Sequence, residues 1–513
     1  MIENGKIYIG LNDKNERVYV NLSNCNRHGL IAGASGTGKT ITMKVLAESF
    51  SAAGVPVFVC DIKGDVSGIA EPGTDSEQMQ QKIKKFGIEN SFSYKAFPTV
   101  FYDIYSKGGH PVRVTVSDVG PSLLSQLMGL TEVQESVLTT VFRIADDKGL
   151  KIIDLKDLRA VINFVSEHRQ EYMAQYGTIS PQSLGVITRA IIPLEDEGGN
   201  EFFGEPALDI HDWIRCDSEG RGFINLLHCV EAIRYPRLYA TFLLWMIAEM
   251  FEELPESGDS DKPKLVLFFD EAHLLFKNMP KALMESIEQT VKLIRSKGVG
   301  IFFVTQSPSD IPDSILAQLS NRVQHALRAY TPSEQKAVRA AAKSFRANPD
   351  FKTEDAIMEL GTGEALTSFL DENGVPQTVQ RTTIICPESL MAPCSPETRT
   401  RLMNCSPVSG KYDTAVDNES AYEILEKQAV IDAENEALRQ EKEALEAELE
   451  KMKKAQEKEA EAARKKSERE AEKKKADSQK KADRRRSKIE SQLISAGGSI
   501  LKRGLMNILK GKK

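Results

Sequence analysis

Short, unbroken apolar runs alternate with stretches of helical spacing through most of this chain. His28 to Ala32, Val55 to Cys60, Leu265 to Phe269 and Val299 to Val304 each read as a strand buried on both faces. Ile41 to Phe50 follows the first run, with Met43, Leu46, Ala47 and Phe50 on one helical face, and Lys281 to Arg295 follows the third. A buried strand, a helix and a second buried strand make a βαβ unit, so the pattern predicts an α/β fold with a mostly parallel sheet between helices. Ahead of it, Ile7-Tyr-Ile9 and Val18-Tyr-Val20 flank the polar turn Asn12 to Asn15, which reads as a hairpin. Beyond Val304, Pro308 to Leu319 reads as a helix and Asn321 to Arg328 as a strand. Thr331 to Ala342 is a helix opened by capping-box spacing at Thr331 and Glu334. Glu364 to Leu370 and Val379 to Ile385 complete a late hairpin around Asp371 to Gly374.

The stretch from Glu71 to Asp261 differs. Leu123 to Leu130, Val133 to Ala145, Leu155 to Val165, Ser183 to Leu194 and Ile233 to Leu254 all have helical periodicity. Val112 to Val116 and Gly222 to Leu227 read as strands at its edges. The expected organisation is therefore a first half of the core with the hairpin (1–75), a mainly helical insertion (76–260), a second half of the core (261–396) and a linker (397–419).

From Ser420 the composition shifts to Lys, Glu, Ala and Arg. Ile424, Ile431, Leu438, Leu445 and Met452 recur every seven residues, one apolar seam of a heptad. The companion positions Ala421, Gln428, Asn435, Lys442 and Leu449 are mostly polar, so residues 420–490 read as a marginal coiled coil or a single charged helix. A coil would offer a protein partner a docking site. Lys473 to Lys475 and Arg484 to Arg486 make the stretch basic. The last residues, 491–513, read as a basic amphipathic tail suited to peripheral contact with a membrane surface or to a partner's groove.

Formal net charge is −7, so no global basic field points to nucleic acid. Seven scattered cysteines without a CxxC pair suggest reduced thiols. Apolar runs too short to cross a bilayer and the lack of a signal-peptide pattern make the cytoplasm the expected location.

The chemistry concentrates at Gly33 to Thr40, GASGTGKT, which fits G-x-x-x-x-G-K-[ST] at every fixed position. Glycines let the backbone close around a polyphosphate and aim its N–H groups at the oxygens, and the following helix adds its positive end. Lys39 would reach the β- and γ-phosphates of ATP, and Thr40 would take a Mg²⁺ position. Asp61, Lys63 and Asp65 end the next strand and fall beside the same crevice. Leu265 to Phe269 ends in Asp270-Glu271, the Walker B pattern: the first acid supports Mg²⁺, the second polarises the attacking water. Gln306, on the tip of the next strand, is a candidate γ-phosphate sensor.

The order GASGTGKT, VFVCDIKGD, KLVLFFDEAH, RSKGVGIFFVTQSP, LSNRVQHALR resembles the HerA–FtsK superfamily of P-loop ATPases, and more narrowly the bacterial HerA-like helicase-domain family. The resemblance covers roughly Gly5 to Ile385. It implies a RecA-like core, a homo-oligomeric ring (a hexamer) with ATP between subunits, and translocation on double-stranded DNA. Carried onto the matching positions, the phosphate cradle is Gly33, Ala34, Ser35, Gly36, Thr37, Gly38, Lys39, Thr40 and Ile41, with Mg²⁺ at Thr40 and Asp270. Lys39, Glu271 and Gln306 act on the γ-phosphate and its water. Arg322 is the expected trans-acting arginine finger, with Arg328 second. The alternative function is an ATP-switched assembly or membrane-associated scaffold that works through the tail. A nucleotide kinase is disfavoured, since no phosphoryl-acceptor site is evident.

Overall fold

The computed structural model describes residues 2–231, 234–258, 260–276 and 281–508, with side chains described except at 281–283 and 493–508. The strands are β1 (Ile2–Glu3), β2 (Lys6–Asn12), β3 (Arg17–Asn21), β4 (Gly29–Ala32), β5 (Val57–Asp61), β6 (Thr99–Asp103) and β7 (His110–Pro111). They continue with β8 (Ile224–His228), β9 (Leu265–Phe269), β10 (Val299–Thr305), β11 (Asn321–His325), β12 (Glu364–Ser368) and β13 (Gln380–Ile384). The helices are α1 (Lys39–Ala52), α2 (Glu77–Phe86), α3 (Val116–Leu127), α4 (Glu132–Lys148), α5 (Leu155–Glu167), α6 (Arg169–Tyr176), α7 (Pro181–Asp196) and α8 (Gly199–Phe202). After them come α9 (Pro236–Glu253), α10 (His273–Phe276), α11 (Lys281–Ile294), α12 (Asp313–Leu316), α13 (Pro332–Lys343), α14 (Thr353–Glu359), α15 (Pro396–Asn404) and α16 (Ala421–Ile508).

All thirteen strands join one sheet, in the order β1-β2-β13-β12-β11-β4-β10-β9-β5-β8-β6-β7, with β3 paired to β2. From β11 to β7 every pairing is parallel; β12, β13 and the N-terminal hairpin extend one edge antiparallel. Both faces of the parallel part are covered, and the two-residue alternation sorts its side chains. Val57, Val59, Val266, Phe268, Phe302 and Val304 pack with Met43, Leu46 and Phe50 of α1. Phe58, Cys60, Leu267, Phe269, Ile301 and Phe303 point the other way, onto the core shared with α3, α4, α5, α7, α9 and α11. Each such aliphatic or aromatic side chain contributes about 1.5–3 kcal/mol when fully buried.

Helix α1 is buried nearly all round, and its polar residues show why that is tolerated. Glu48 accepts from the Glu388 and Ser389 N–H groups at 2.8 and 3.2 Å, and Lys44 donates to the Leu390 carbonyl. The segment after β13 thus closes over the outer side of α1. Burial pushes the Glu48 carboxyl up to about 7, against the pull of its Ser389 and Glu388 partners.

Three stretches fold differently from the sequence pattern. Val112 to Val116 was expected as a strand, but among these residues only Val114 makes a bridge, to Phe203, and Val116 opens α3. The reason lies in Thr115 and Asp118, whose side chains cap each other's backbone and start the helix. The strand that fills the sheet is β6, which follows Pro98 and ends in Asp103. The region 76–260 therefore supplies three sheet strands, β6, β7 and β8, besides its helices. Pro308 to Leu319, expected as one helix, is split into a short 3-10 turn (Pro308–Asp310) and α12, because Pro312 starts a fresh turn. Residues 397–419, read as a linker, carry most of α15 and bury Val408 and Tyr412 completely or nearly so. Tyr412 donates to Asp212 at 2.5 Å, and Arg113 donates to the Tyr412 carbonyl at 2.8 Å.

The compact body ends at Leu425, and the rest forms a separate helical unit. The first turn of α16 belongs to the body: Ser420 donates to Asp157, the Tyr422 N–H reaches the same carboxylate at 2.9 Å, and Lys156 pairs with Glu423 at 2.9 Å. Beyond it the helix runs on to Ile508, with exposed side chains as far as they are described. The expected basic tail, 491–513, lies largely outside the described side chains. Among the described residues no helix is long and apolar enough to cross a membrane.

Candidate active site

The strand order places the carboxyl ends of β4, β10, β9 and β5 side by side. In a parallel sheet that edge is where a ligand crevice forms. The P-loop leaves β4 there. Its backbone is pinned by bonds from Gly33 N to the Thr305 carbonyl (3.2 Å) and from Ala34 N to the Ala326 carbonyl (2.9 Å). Thr37 closes the turn by donating to the Ala34 carbonyl at 2.7 Å, and its own carbonyl accepts from Gly363 N at 3.0 Å. Two glycines are required sterically. A Cβ on Gly33 would lie 2.5 Å from that of His325, and Gly38 caps α1 at φ +120°, where other residues are strained. Ser35 and Gly36 are exposed at the tip of the loop, and Ile41 packs partly buried behind it.

Lys39 is buried, and its Nζ donates to the Gly33 and Ala34 carbonyls at 2.7 and 3.1 Å. The cation thus lies inside the ring of the loop, held by oxygens that a phosphate would replace. Burial lowers its pKa, while Glu271 and Asp270 pull it back up. Thr40 donates to Asp65 Oδ2 at 3.3 Å, which links the end of the P-loop to the segment after β5.

The acidic side is built by β9. Asp270 is buried; its Oδ1 accepts from the Glu271 N–H at 2.9 Å and its Oδ2 has no partner. Glu271 adopts φ +47°, an uncommon conformation for a non-glycine residue that turns its carboxylate back over the strand ends. Three groups meet it there: Lys63 Nζ at 2.5 Å, Gln306 Nε2 at 3.3 Å and His273 Nδ1 at 3.2 Å. Burial pushes the Glu271 carboxyl up, but Lys63, Gln306 and His273 together outweigh it and hold it below the usual range. Asp270 goes the other way, pushed up to about 6 by burial and by the adjacent Glu271. Asp61 is pushed up to about 7, by burial and then by Asp65, although it accepts from Gly64 N at 2.8 Å.

Mg²⁺ is implied by this fold, and the donors present fit it. Oδ2 of Asp270 and Oδ1 of Asp65 are both buried without a partner, and the other oxygen of Asp65 accepts from the Thr40 hydroxyl. Orphaned buried carboxylate oxygens are rare and costly, and a hard divalent cation with oxygen ligands resolves them. Thr40, Asp65 and Asp270 are the residues that would hold the ion, directly or through its waters.

Behind the crevice lies a layer that the sequence pattern did not single out. His325 is fully buried; its Nδ1 donates to the Glu364 carbonyl at 2.9 Å and its Nε2 accepts from Thr42 at 2.8 Å. Both ring nitrogens are satisfied in the neutral form, and burial lowers the pKa to about 4. It props both Gly33 and α1. His28, at φ +55° before β4, bonds the Val291 carbonyl at 2.8 Å and accepts from Ile301 N at 3.1 Å. The available signal was a histidine two residues before Leu30, at the head of the first apolar run, and another two residues after Val323, at the end of a mostly polar strand.

The two arginines fall in different settings. Arg322 pairs in register with Leu30, toward the start of β4 and away from the P-loop end. Its guanidinium donates to the carbonyls of Leu319, Ser344 and Leu316 at 2.9, 3.1 and 2.9 Å. Arg328 lies beyond β11, exposed, with one bond to the Met358 carbonyl at 2.7 Å.

A phosphate-cradling loop at the head of a helix, facing an Asp-Glu pair across a parallel sheet, defines a P-loop ATPase. More narrowly, the chain belongs to the helicase HerA-like C-terminal family, whose sequence model matches residues 6–513. Among solved structures it is similar to the bacterial conjugative coupling protein TrwBdeltaN70 in its unbound form, at 14% identity and TM-score 0.50, covering 74% of this chain and 89% of that one. The plasmid coupling protein TrwB in complex with ADP and Mg²⁺ matches at 14% identity and TM-score 0.50, over 72% and 88%. VirB4 of Thermoanaerobacter pseudethanolicus matches at 16% identity and TM-score 0.48, over 78% and 99%. At 14% identity the likeness to the two coupling-protein structures is one of fold: the RecA-like P-loop architecture expected from the sequence. No curated protein sequence matches the chain.

Proposed function

We propose that the protein is an ATP-driven motor on double-stranded DNA, working as a homo-oligomeric ring, a hexamer in the family pattern. The observation that carries the ATPase part is Glu271, an ionised carboxylate bonded at the strand ends by Lys63 and Gln306, with His273 beside it and Lys39 opposite. Membership of the helicase HerA-like family supports the DNA part, as does the likeness in fold to coupling proteins.

Lys39 leaves the Gly33 and Ala34 carbonyls and binds the β- and γ-phosphate oxygens of ATP, while the N–H groups of Ser35 to Ile41 line the chain of phosphates. Mg²⁺, when bound, neutralises phosphate charge as it develops. Glu271 accepts the proton of the attacking water, and Gln306 orients that water against the γ-phosphate. Lys63 keeps Glu271 ionised and must yield room to the water, so its exposed stem is suited to swinging out. The trans-acting arginine is Arg328 in this reading, because three carbonyls of its own subunit already hold the Arg322 guanidinium.

The second reading, an ATP-switched scaffold, is favoured by one observation: the first turn of α16 is bonded to Lys156 and Asp157 in the helical region. Displacement of a third strand from a DNA triplex separates the two. A motor displaces it in the presence of ATP, and Glu271→Gln does not. A scaffold leaves the triplex intact under all conditions.

A further inference from the structure

The helical unit from Glu426 onward carries an apolar seam that nothing in its own unit covers. Ile431, Leu438, Leu445 and Met452 are 50%, 52%, 59% and 59% exposed, at strict seven-residue spacing. A single helix in water gains nothing from such a repeat, since 3.6 residues per turn carries it slowly around the surface. The repeat has a use when a second helix supercoils against it.

Charge identifies the occupant. With the apolar seam at heptad position d, the flanking g and e positions of a parallel pair face each other five residues apart. Lys427 then meets Asp432 of the second copy, Glu434 meets Arg439, Glu441 meets Glu446 and Glu448 meets Lys453. Three of these four contacts join opposite charges, and each occurs twice by symmetry. Within the helix, Gln428 bonds Asp432 at 2.9 Å and Arg439 pairs with Glu443 at 3.3 Å. These are exposed contacts that water also satisfies, so exchanging them across a seam costs little.

The companion seam explains direction and number. Asn435 and Lys442 occupy position a. A parallel pair stacks d on d and a on a, so the apolar residues meet one another. An antiparallel pair would set Ile431 and Leu438 against these polar groups. A polar Asn at a fixes register and oligomer state, and the long Lys stem lets its ammonium reach water at the edge of a two-stranded seam.

We propose that residues 427–455 pair with the same residues of a second copy of this chain, as a parallel, in-register, two-stranded coiled coil. This stands independently of the ATPase mechanism and of any DNA substrate.

The test uses the full chain with the exposed Cys216 and Cys405 replaced by serine. Leu438→Cys and Met452→Cys are made separately, with Ala433→Cys, on the outer face, as the control. Mild oxidation should convert most of the Leu438→Cys chain, and most of the Met452→Cys chain, to disulfide-linked dimers, and little of the Ala433→Cys chain. Arg439→Glu should lower the yield several-fold, and adding Glu434→Arg should restore it. Linkage at one of the two seam positions alone would mean an antiparallel or shifted pair, since such a pair cannot set both positions opposite their own copies. Linkage at neither, or yields indifferent to Arg439→Glu, would equally overturn the proposal.

Discussion

At the scale of single residues, the site works by opposing two neighbouring acids. Burial and Glu271 push Asp270 up, whereas Lys63, Gln306 and His273 hold Glu271 down. A general base must be ionised to accept a proton, so removing Lys63 should shift the acid limb of the pH–rate profile to higher pH. Lys63→Ala should show that shift in kcat/KM, and Lys63→Arg should largely reverse it. Glu271→Gln should cost about 10²–10⁴ in turnover with ATP binding retained, as measured by nucleotide fluorescence against rate. Lys39→Ala should lose binding and turnover together. Behind the site, His325 makes a separate prediction. Its folded pKa of about 4 lies below the ordinary 6.5, so between those values the unfolded chain binds the extra proton. The stabilisation is complete above about pH 6.5 and is lost as the pH falls toward 4, by about 3 kcal/mol at most. Glu48 and Asp61, both pushed up to about 7, act in the opposite sense over the same window, so the wild-type curve mixes the effects. The difference between wild type and His325→Asn isolates one. Asparagine keeps the donor to Glu364 but cannot charge, so the stability gap should narrow as the pH falls. A gap that does not change with pH would mean that His325 titrates normally.

At the scale of elements, what was legible followed from pattern strength. The P-loop strand and the strands leading into Asp61, Asp270 and Thr305 are almost wholly apolar, the helix after the P-loop carries an apolar face, and they stand where the spacing put them. Strand β6 was missed because Thr99 and Asp103 break its short run, although both are buried in the sheet. Residues 397–419 looked like a linker from their Ser, Pro and Thr content, yet one buried tyrosine bonded to Asp212 makes them a strap. Glu271 and Gln306 were legible as strand-end polar residues. Lys63 was visible only as a neighbour, because its contact with Glu271 depends on the backbone turn at φ +47°. Two stability predictions belong here. Tyr412→Ala should cost about 3 kcal/mol or more, since it empties a filled site and leaves the buried Asp212 without that donor. Arg322→Ala should cost about 1–3 kcal/mol through three carbonyls left without their donor. Chemical denaturation measures both. If Arg322→Ala instead kept full stability and lost turnover, the finger would be Arg322 and not Arg328.

At the scale of the whole molecule, the site faces the sheet edge alone. In the proposed ring the chain would supply the phosphate cradle, the acid pair and the sensor, and the next subunit would supply the arginine. Arginine fingers are typically worth about 10³–10⁵ in rate, so turnover per chain should rise with protein concentration as rings form. Arg328→Ala mixed into wild-type protein should depress activity more than in proportion. The net charge of −7 gives no general attraction for DNA, so any DNA contact must be local and sensitive to salt. The most direct measurement is ATP turnover of the purified chain with and without double-stranded DNA at low salt, with Glu271→Gln as the blank. The motor reading predicts turnover that DNA stimulates, that fades as salt is added, and that the blank lacks. Turnover above the blank that ignores DNA at every salt concentration would contradict it, leaving an ATPase whose work lies elsewhere.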